Sequence, residues 1–147
     1  MSTHYIVYVS QAAQALTPHD LEDILEEARS YNPRHGITGV LLFAEGEGRY
    51  RGSFMQLLEG DEAAIEALRK RIFSDPRHHT KIVLERGVKA GRDFPDWSMA
   101  FRTVDRSQLR AHPRFADLCE PHFQDRCAAD GADGALSFLC DFWQQAA

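Results

Sequence analysis

HYIVYVS (4–10) is a run of β-forming residues, and as a strand it places Ile6, Tyr8 and Ser10 on one face and Val7 and Val9 on the other. The period then changes. Leu21, Ile24, Leu25, Ala28 and Tyr31 or Asn32 recur at helical spacing, so ALTPHDLEDILEEARSYN predicts a helix. Thr17 is its expected N-cap, Pro18 its first residue, and Asp20 lies three residues after the cap. Pro33 is expected to stop this helix, with Gly36 soon after. GITGVLLF (36–43) predicts a second strand, AEGEGRYRG a glycine-rich turn, and SFMQLLEG (53–60) a third strand returning from that hairpin. DEAAIEALRKRIFSD (61–75) predicts a second helix with Ile65, Leu68 and Ile72 on its inner face and Pro76 ending it. TKIVLERGVK (80–89) and DWSMAFRTV (96–104) predict two more strands, the last placing Trp97, Met99 and Phe101 on one face.

The order β-α-β-β-α-β-β points to an α+β fold, a ferredoxin-like sheet with two helices on one face. Two further apolar-faced helical stretches, SQLRAHPRFADLCEPHF and DGALSFLCDFWQQ, are available to cover the other face. The expected organisation is a domain over 1–104 and a C-terminal helical extension over 105–147.

Composition narrows the function more than it identifies it. The net charge is −5 and the basic residues are scattered, which argues against a nucleic-acid-binding face. No apolar run approaches a membrane span and MSTHYIVYVS lacks the layout of a signal peptide, so a cytoplasmic protein is expected. Cys119, Cys127 and Cys140 read as reduced thiols, and Cys119, His122 and Cys127 lack the paired spacing of a zinc site, so no metal is expected. Gly46, Gly48 and Gly52 follow a strand but lead into another strand, without the helix N-terminus that a dinucleotide fingerprint needs.

Three polar side chains stand out from this apolar frame. Gln56 shares a strand face with Phe54 and Leu58, although burying an unpaired amide costs about 1–3 kcal/mol. Tyr8 sits centrally on the first strand, and Asn32 falls in line with Leu25 and Ala28 at the end of the helical stripe. In a ferredoxin-like sheet the first and third strands are neighbours, so Tyr8 and Gln56 are placed to hydrogen-bond. Each residue alone has an ordinary structural use: a satisfied core phenol, a helix-end asparagine, a sheet-end glutamine. Two carboxamides and a phenol converging on the groove between two helices instead match a cyclic imide, as on a flavin ring edge or a pyrimidine.

YVS (8–10), DLEDILEEARSYNPRHGITGVLLF (20–43), FMQLLEG (54–60), SDPRHH (74–79) and RDFPDWSMAF (92–101), in this order, resemble the BLUF domain, the blue-light sensor using FAD. The resemblance covers about residues 3–104. It implies FAD held between the two helices, with FMN or riboflavin as alternatives in purified material. Tyr8 matches the family's photoactive tyrosine, Gln56 its switching glutamine and Asn32 the asparagine that hydrogen-bonds the flavin ring. Ile24 and Phe54 align with residues lining the ring pocket, Arg77 and His78 with the segment after the second helix. Trp97 and Met99 match the pair linked to signal output. A phenol beside an excited flavin can give an electron and then a proton, and a neutral amide between them can relay the proton and emerge rotated or tautomerised. The stretch AEGEGRYRGS is longer than the family's usual turn, an inexpensive change in a surface hairpin.

Competing readings are weaker. An acylphosphatase-like enzyme needs an arginine-bearing phosphate loop after the first strand, and SQAAQALTP has neither arginine nor glycine. About forty residues follow the fifth strand, too few for a cyclase or phosphodiesterase domain, so no enzyme activity is expected. Signal output would then pass through a partner protein or homo-oligomerisation. The remaining alternative is a ferredoxin-like interaction module without flavin photochemistry, which the joint presence of Tyr8, Asn32 and Gln56 disfavours.

Overall fold

A computed structural model describes residues 3–12, 18–44, 52–74, 78–104 and 134–145, together with Gln108 and Leu118. The elements are β1 (Thr3–Ala12), α1 (Pro18–Arg34), β2 (Thr38–Ala44), β3 (Ser53–Gly60), α2 (Glu62–Phe73), β4 (His78–Lys89), β5 (Ala100–Val104) and α3 (Ala135–Gln145). They form one five-stranded sheet in the order β4-β1-β3-β2-β5, the ferredoxin-like arrangement with β5 added in parallel beside β2. Thr17, most of the 44–53 hairpin, the segment around Cys119, His122 and Cys127, and nearly all of the first C-terminal helical stretch lie outside the described residues.

Strand alternation divides the core into two layers. Ile6, Tyr8, Leu41, Phe54 and Leu58 pack with Leu25 of α1 and with Ile65 and Leu68 of α2. Val7, Val9, Val40, Leu42, Met55 and Leu57 face the other way, where Phe138, Leu139 and Phe142 of α3 cover them. Fully burying apolar side chains of this size contributes about 1.5–3 kcal/mol each, so α3 is part of the core and not an appendage. Arg102 of β5 also lies over the Phe142 ring, 5.9 Å from its centroid. Among the described residues no helix is long and apolar enough to cross a membrane.

Several elements differ from the expectation by one or two residues at an end, and two boundaries bear on the site. Pro33 does not stop α1, which runs to Arg34. A proline in the last turn forfeits one main-chain bond, whereas the stop itself is made by Gly36 at φ 66°. The Ile37 N–H then bonds the Asn32 carbonyl at 2.9 Å, closing the helix end. The fifth strand begins at Ala100 and not at residue 96, so Trp97 and Met99 precede it and do not share a strand face. The Trp97 carbonyl reaches β2, accepting from Gly39 N–H at 3.0 Å. The next two carbonyls are taken by α1: Asn32 Nδ2 donates to Ser98 O at 2.7 Å and Arg29 Nε to Met99 O at 3.1 Å. Residues 92–99 therefore form a strap across the end of the sheet.

The docking of α3 carries a testable pH dependence. Tyr5 donates its hydroxyl to Glu85 at 2.7 Å, and the other Glu85 oxygen accepts from Leu136 N–H in the first turn of α3 at 3.5 Å. Burial, then the Glu85 carboxylate, pushes the Tyr5 phenol up to about 12 from its ordinary 10.0. A proton held more tightly when folded stabilises the fold below the unfolded value, and this is lost as pH rises through the folded one. Melting temperature should thus fall more steeply between about pH 10 and 12 in the unsubstituted protein than in Tyr5→Phe.

Candidate functional site

The centre of the helix-covered face is one row across the sheet. Val83 of β4 lies beside Tyr8, Tyr8 beside Gln56, Gln56 beside Leu41, and Leu41 beside Phe101. Two polar side chains thus sit among three apolar ones. Tyr8 is 1% exposed and Gln56 7%. The Tyr8 hydroxyl donates to Gln56 Oε1, and Gln56 Nε2 donates onward to Met99 Sδ at 3.4 Å. Phenol, amide and thioether form one directional chain in which the tyrosine proton fixes the amide orientation. Thioether sulfur is a weak acceptor, so the Met99 end is the easier one to release.

Asn32 stands at the C-terminal end of α1. Its Nδ2 is spent on Ser98, while its Oδ1 is buried and has no hydrogen-bond partner among the described residues. An acceptor stranded in this way costs about 1–3 kcal/mol unless something supplies a donor. The Phe73 ring at the end of α2 meets the Tyr8 ring edge-on at 5.4 Å. Phe54 is buried on β3, its ring 5.0 Å from Phe43, and Ile24 of α1 packs partly buried against the same apolar layer.

A sequence profile of the BLUF family, described as sensors of blue-light using FAD, matches residues 3–100. The chain belongs to the BLUF family.

Its relatives include larger photoreceptors and small ones. It is 32% identical over 114 residues to the photoactivated adenylate cyclase subunit beta of Euglena gracilis, a match spanning 77% of this chain but only 12% of that protein. The dark-state structure of BlrB, a BLUF protein, superposes with a TM-score of 0.71 at 28% identity, covering 99% of this chain and 98% of that one. BlrP1 of Klebsiella pneumoniae, solved with FMN and cyclic diGMP, matches at 37% identity and a TM-score of 0.60, covering 73% of this chain and 26% of that one.

Of the residues expected at the site in this BLUF chain, the fold brings Tyr8, Gln56 and Met99 into contact and sets Asn32 against the adjoining Ser98. Trp97 goes elsewhere: it is 43% exposed and stacks on Phe94 with centroids 5.4 Å apart. His78 opens β4, its backbone paired with Ala12, and Arg77 lies outside the described residues. Sequence reasoning missed Arg29, although it follows Leu25 by four residues and precedes Asn32 by three, on the same stripe. It also missed Glu59. Alternation from Met55 and Leu57 aims this carboxylate at the α3-covered core, and a charge in that place needs partners.

Proposed function

We propose that this chain is a blue-light receptor that binds FAD between α1 and α2 and stores the light signal in the Tyr8–Gln56–Met99 chain. The observation that carries this reading is that Gln56 spends both ends of its amide, one on a phenol and one on a weak thioether acceptor. Its orientation is therefore set by two partners of unequal strength and can be reversed. The orphaned Asn32 Oδ1 suits an imide N–H, and Ile24 and Phe54 supply apolar walls. Arg77 and His78 complete the set of cofactor-binding residues. BlrP1's FMN supports a flavin, and the family's own description favours FAD over FMN or riboflavin.

When bound, a flavin supplies absorption of blue light and a strongly oxidising excited ring. Tyr8 holds the mobile proton at its hydroxyl, directed at Gln56 Oε1. Were Tyr8 to give an electron to the excited ring, Gln56 Oε1 would relay the phenolic proton; with the return of both to Tyr8, the amide would be left rotated or tautomerised, its Nε2 withdrawn from Met99. Met99 is thus the inward output residue and Trp97 the outward one. From Trp97 the path leads through Phe94, whose ring meets Trp143 of α3 at 6.1 Å. The 1–104 unit senses, and the 105–147 extension conveys the change to a protein partner or to a second copy of the chain. The receptor works in the cytoplasm and acts through that contact, without catalysis of its own.

Heat release of the cofactor from purified protein, followed by chromatography, tests the binding step. FAD near one per chain is expected. Protein that stays colourless after expression with added flavin would overturn the reading. Output is tested separately with Trp143→Ala, because deleting α3 would uncover Val7, Val9, Leu42 and Leu57 and endanger the fold. The spectral response to light should persist in Trp143→Ala, while the difference between dark and lit size-exclusion profiles should disappear.

A further inference from the structure

The strap at 92–99 reaches the switch at one end, with Met99 on Gln56, and a buried carboxylate at the other. Glu59 is fully buried at the end of β3. Its Oε1 accepts from Phe94 N–H at 2.9 Å and Thr38 Oγ1 at 3.2 Å. Its Oε2 accepts from Asp93 N–H at 2.8 Å and Lys89 Nζ at 2.6 Å. Lys89 also pairs with Asp93. Arg92 adds a second layer, donating to the Glu59 carbonyl at 3.2 Å, to Thr38 Oγ1 at 2.9 Å and to the Gly36 carbonyl at 2.6 Å.

Simple closure of a sheet end does not require this investment. Taking a carboxylate fully out of water is costly, and breaking a buried pair by removing one partner is strongly destabilising. Here two of the four bonds go to consecutive main-chain N–H groups, at the point where the chain enters the strap. Phe94 then fixes the next step, since its carbonyl accepts from Trp97 N–H at 3.3 Å. Only four residues lie between Phe94 and Met99, so the first end of the strap limits where the second can lie.

We propose that Glu59 is a positioning residue of the light switch: by clamping Asp93 and Phe94 it holds Met99 in register over Gln56 and returns it there after illumination. The proposal rests on the reading of Tyr8 and Gln56 as the switch. Glu59 touches neither residue; it acts through the strap. With Glu59→Gln, one acceptor oxygen becomes an NH2 group facing the same donors, and the clamp loosens without loss of side-chain volume. The lit arrangement should then form with its full spectral shift but decay more slowly in the dark, because Met99 is no longer steered back.

The test follows the decay of the light-induced absorption shift in the flavin-loaded full chain. Glu59→Gln should retain the amplitude of the shift and slow dark recovery by about fivefold, the effect of one ordinary hydrogen bond on a barrier. Lys89→Gln, which weakens the same clamp from the other side, should slow it in the same direction and serves if Glu59→Gln does not fold. A residue needed only for stability would lower melting temperature and flavin content, yet leave recovery unchanged in the molecules that hold flavin. Unchanged or faster recovery overturns the proposal. A flavin-loaded unsubstituted protein without any light-induced shift sinks the switch reading itself, and this one with it.

Discussion

Gln56→Leu should leave the protein yellow and abolish its persistent light-induced red shift. Leucine has nearly the volume of glutamine and suits a position paired with Leu41 in an otherwise apolar row. It offers no acceptor to the Tyr8 hydroxyl and no donor to Met99 Sδ, so both links of the chain vanish at once. Losing two buried hydrogen bonds costs about 0.5–1.5 kcal/mol each, and a melting temperature lower by several degrees should accompany the loss. Tyr8→Phe should give the same optical result from the other side, since the ring remains but no proton is available to the amide. Light-minus-dark spectra at matched flavin content check both variants. A full and reversible shift in either one would remove the chain from the mechanism.

Asn32→Ala should weaken flavin binding by about tenfold to a hundredfold, the range expected when a buried acceptor loses its partner. The alanine removes Oδ1, which has no partner among the described residues, and Nδ2, which holds the Ser98 carbonyl. The first loss acts on the ligand and the second on the strap, so flavin that does bind should also show altered dark recovery. Equilibrium dialysis of flavin against the variant and the unsubstituted protein measures the binding effect. Equal affinities would assign Asn32 to the strap alone.

The Tyr8–Gln56 contact was legible in the sequence because it depends on two local regularities. Strand alternation fixes the face, and the ferredoxin-like order makes β1 and β3 neighbours; the register then places the two residues opposite each other. The cover provided by α3 was legible for a similar reason, since Phe138, Leu139 and Phe142 had to be buried somewhere. The strap was not. DWSMAFRTV alternates as a strand would, but the carbonyls of Ser98 and Met99 are captured by Arg29 and Asn32, more than sixty residues earlier. Local pattern carries no information about such a capture. Likewise the charge of Glu59 was visible, whereas its partners at 89, 93 and 94 come together only when β3 and β4 share a sheet.

The central claim is that light changes the hydrogen bonding of a flavin through Tyr8 and Gln56. It is tested most directly by the absorption spectrum of the purified, flavin-loaded protein before, during and after blue light, recorded beside Tyr8→Phe. A small red shift of the flavin band that reverses in the dark and is absent from Tyr8→Phe is expected. A flavin-loaded protein whose spectrum does not respond to light, or a shift that survives in Tyr8→Phe, would contradict it.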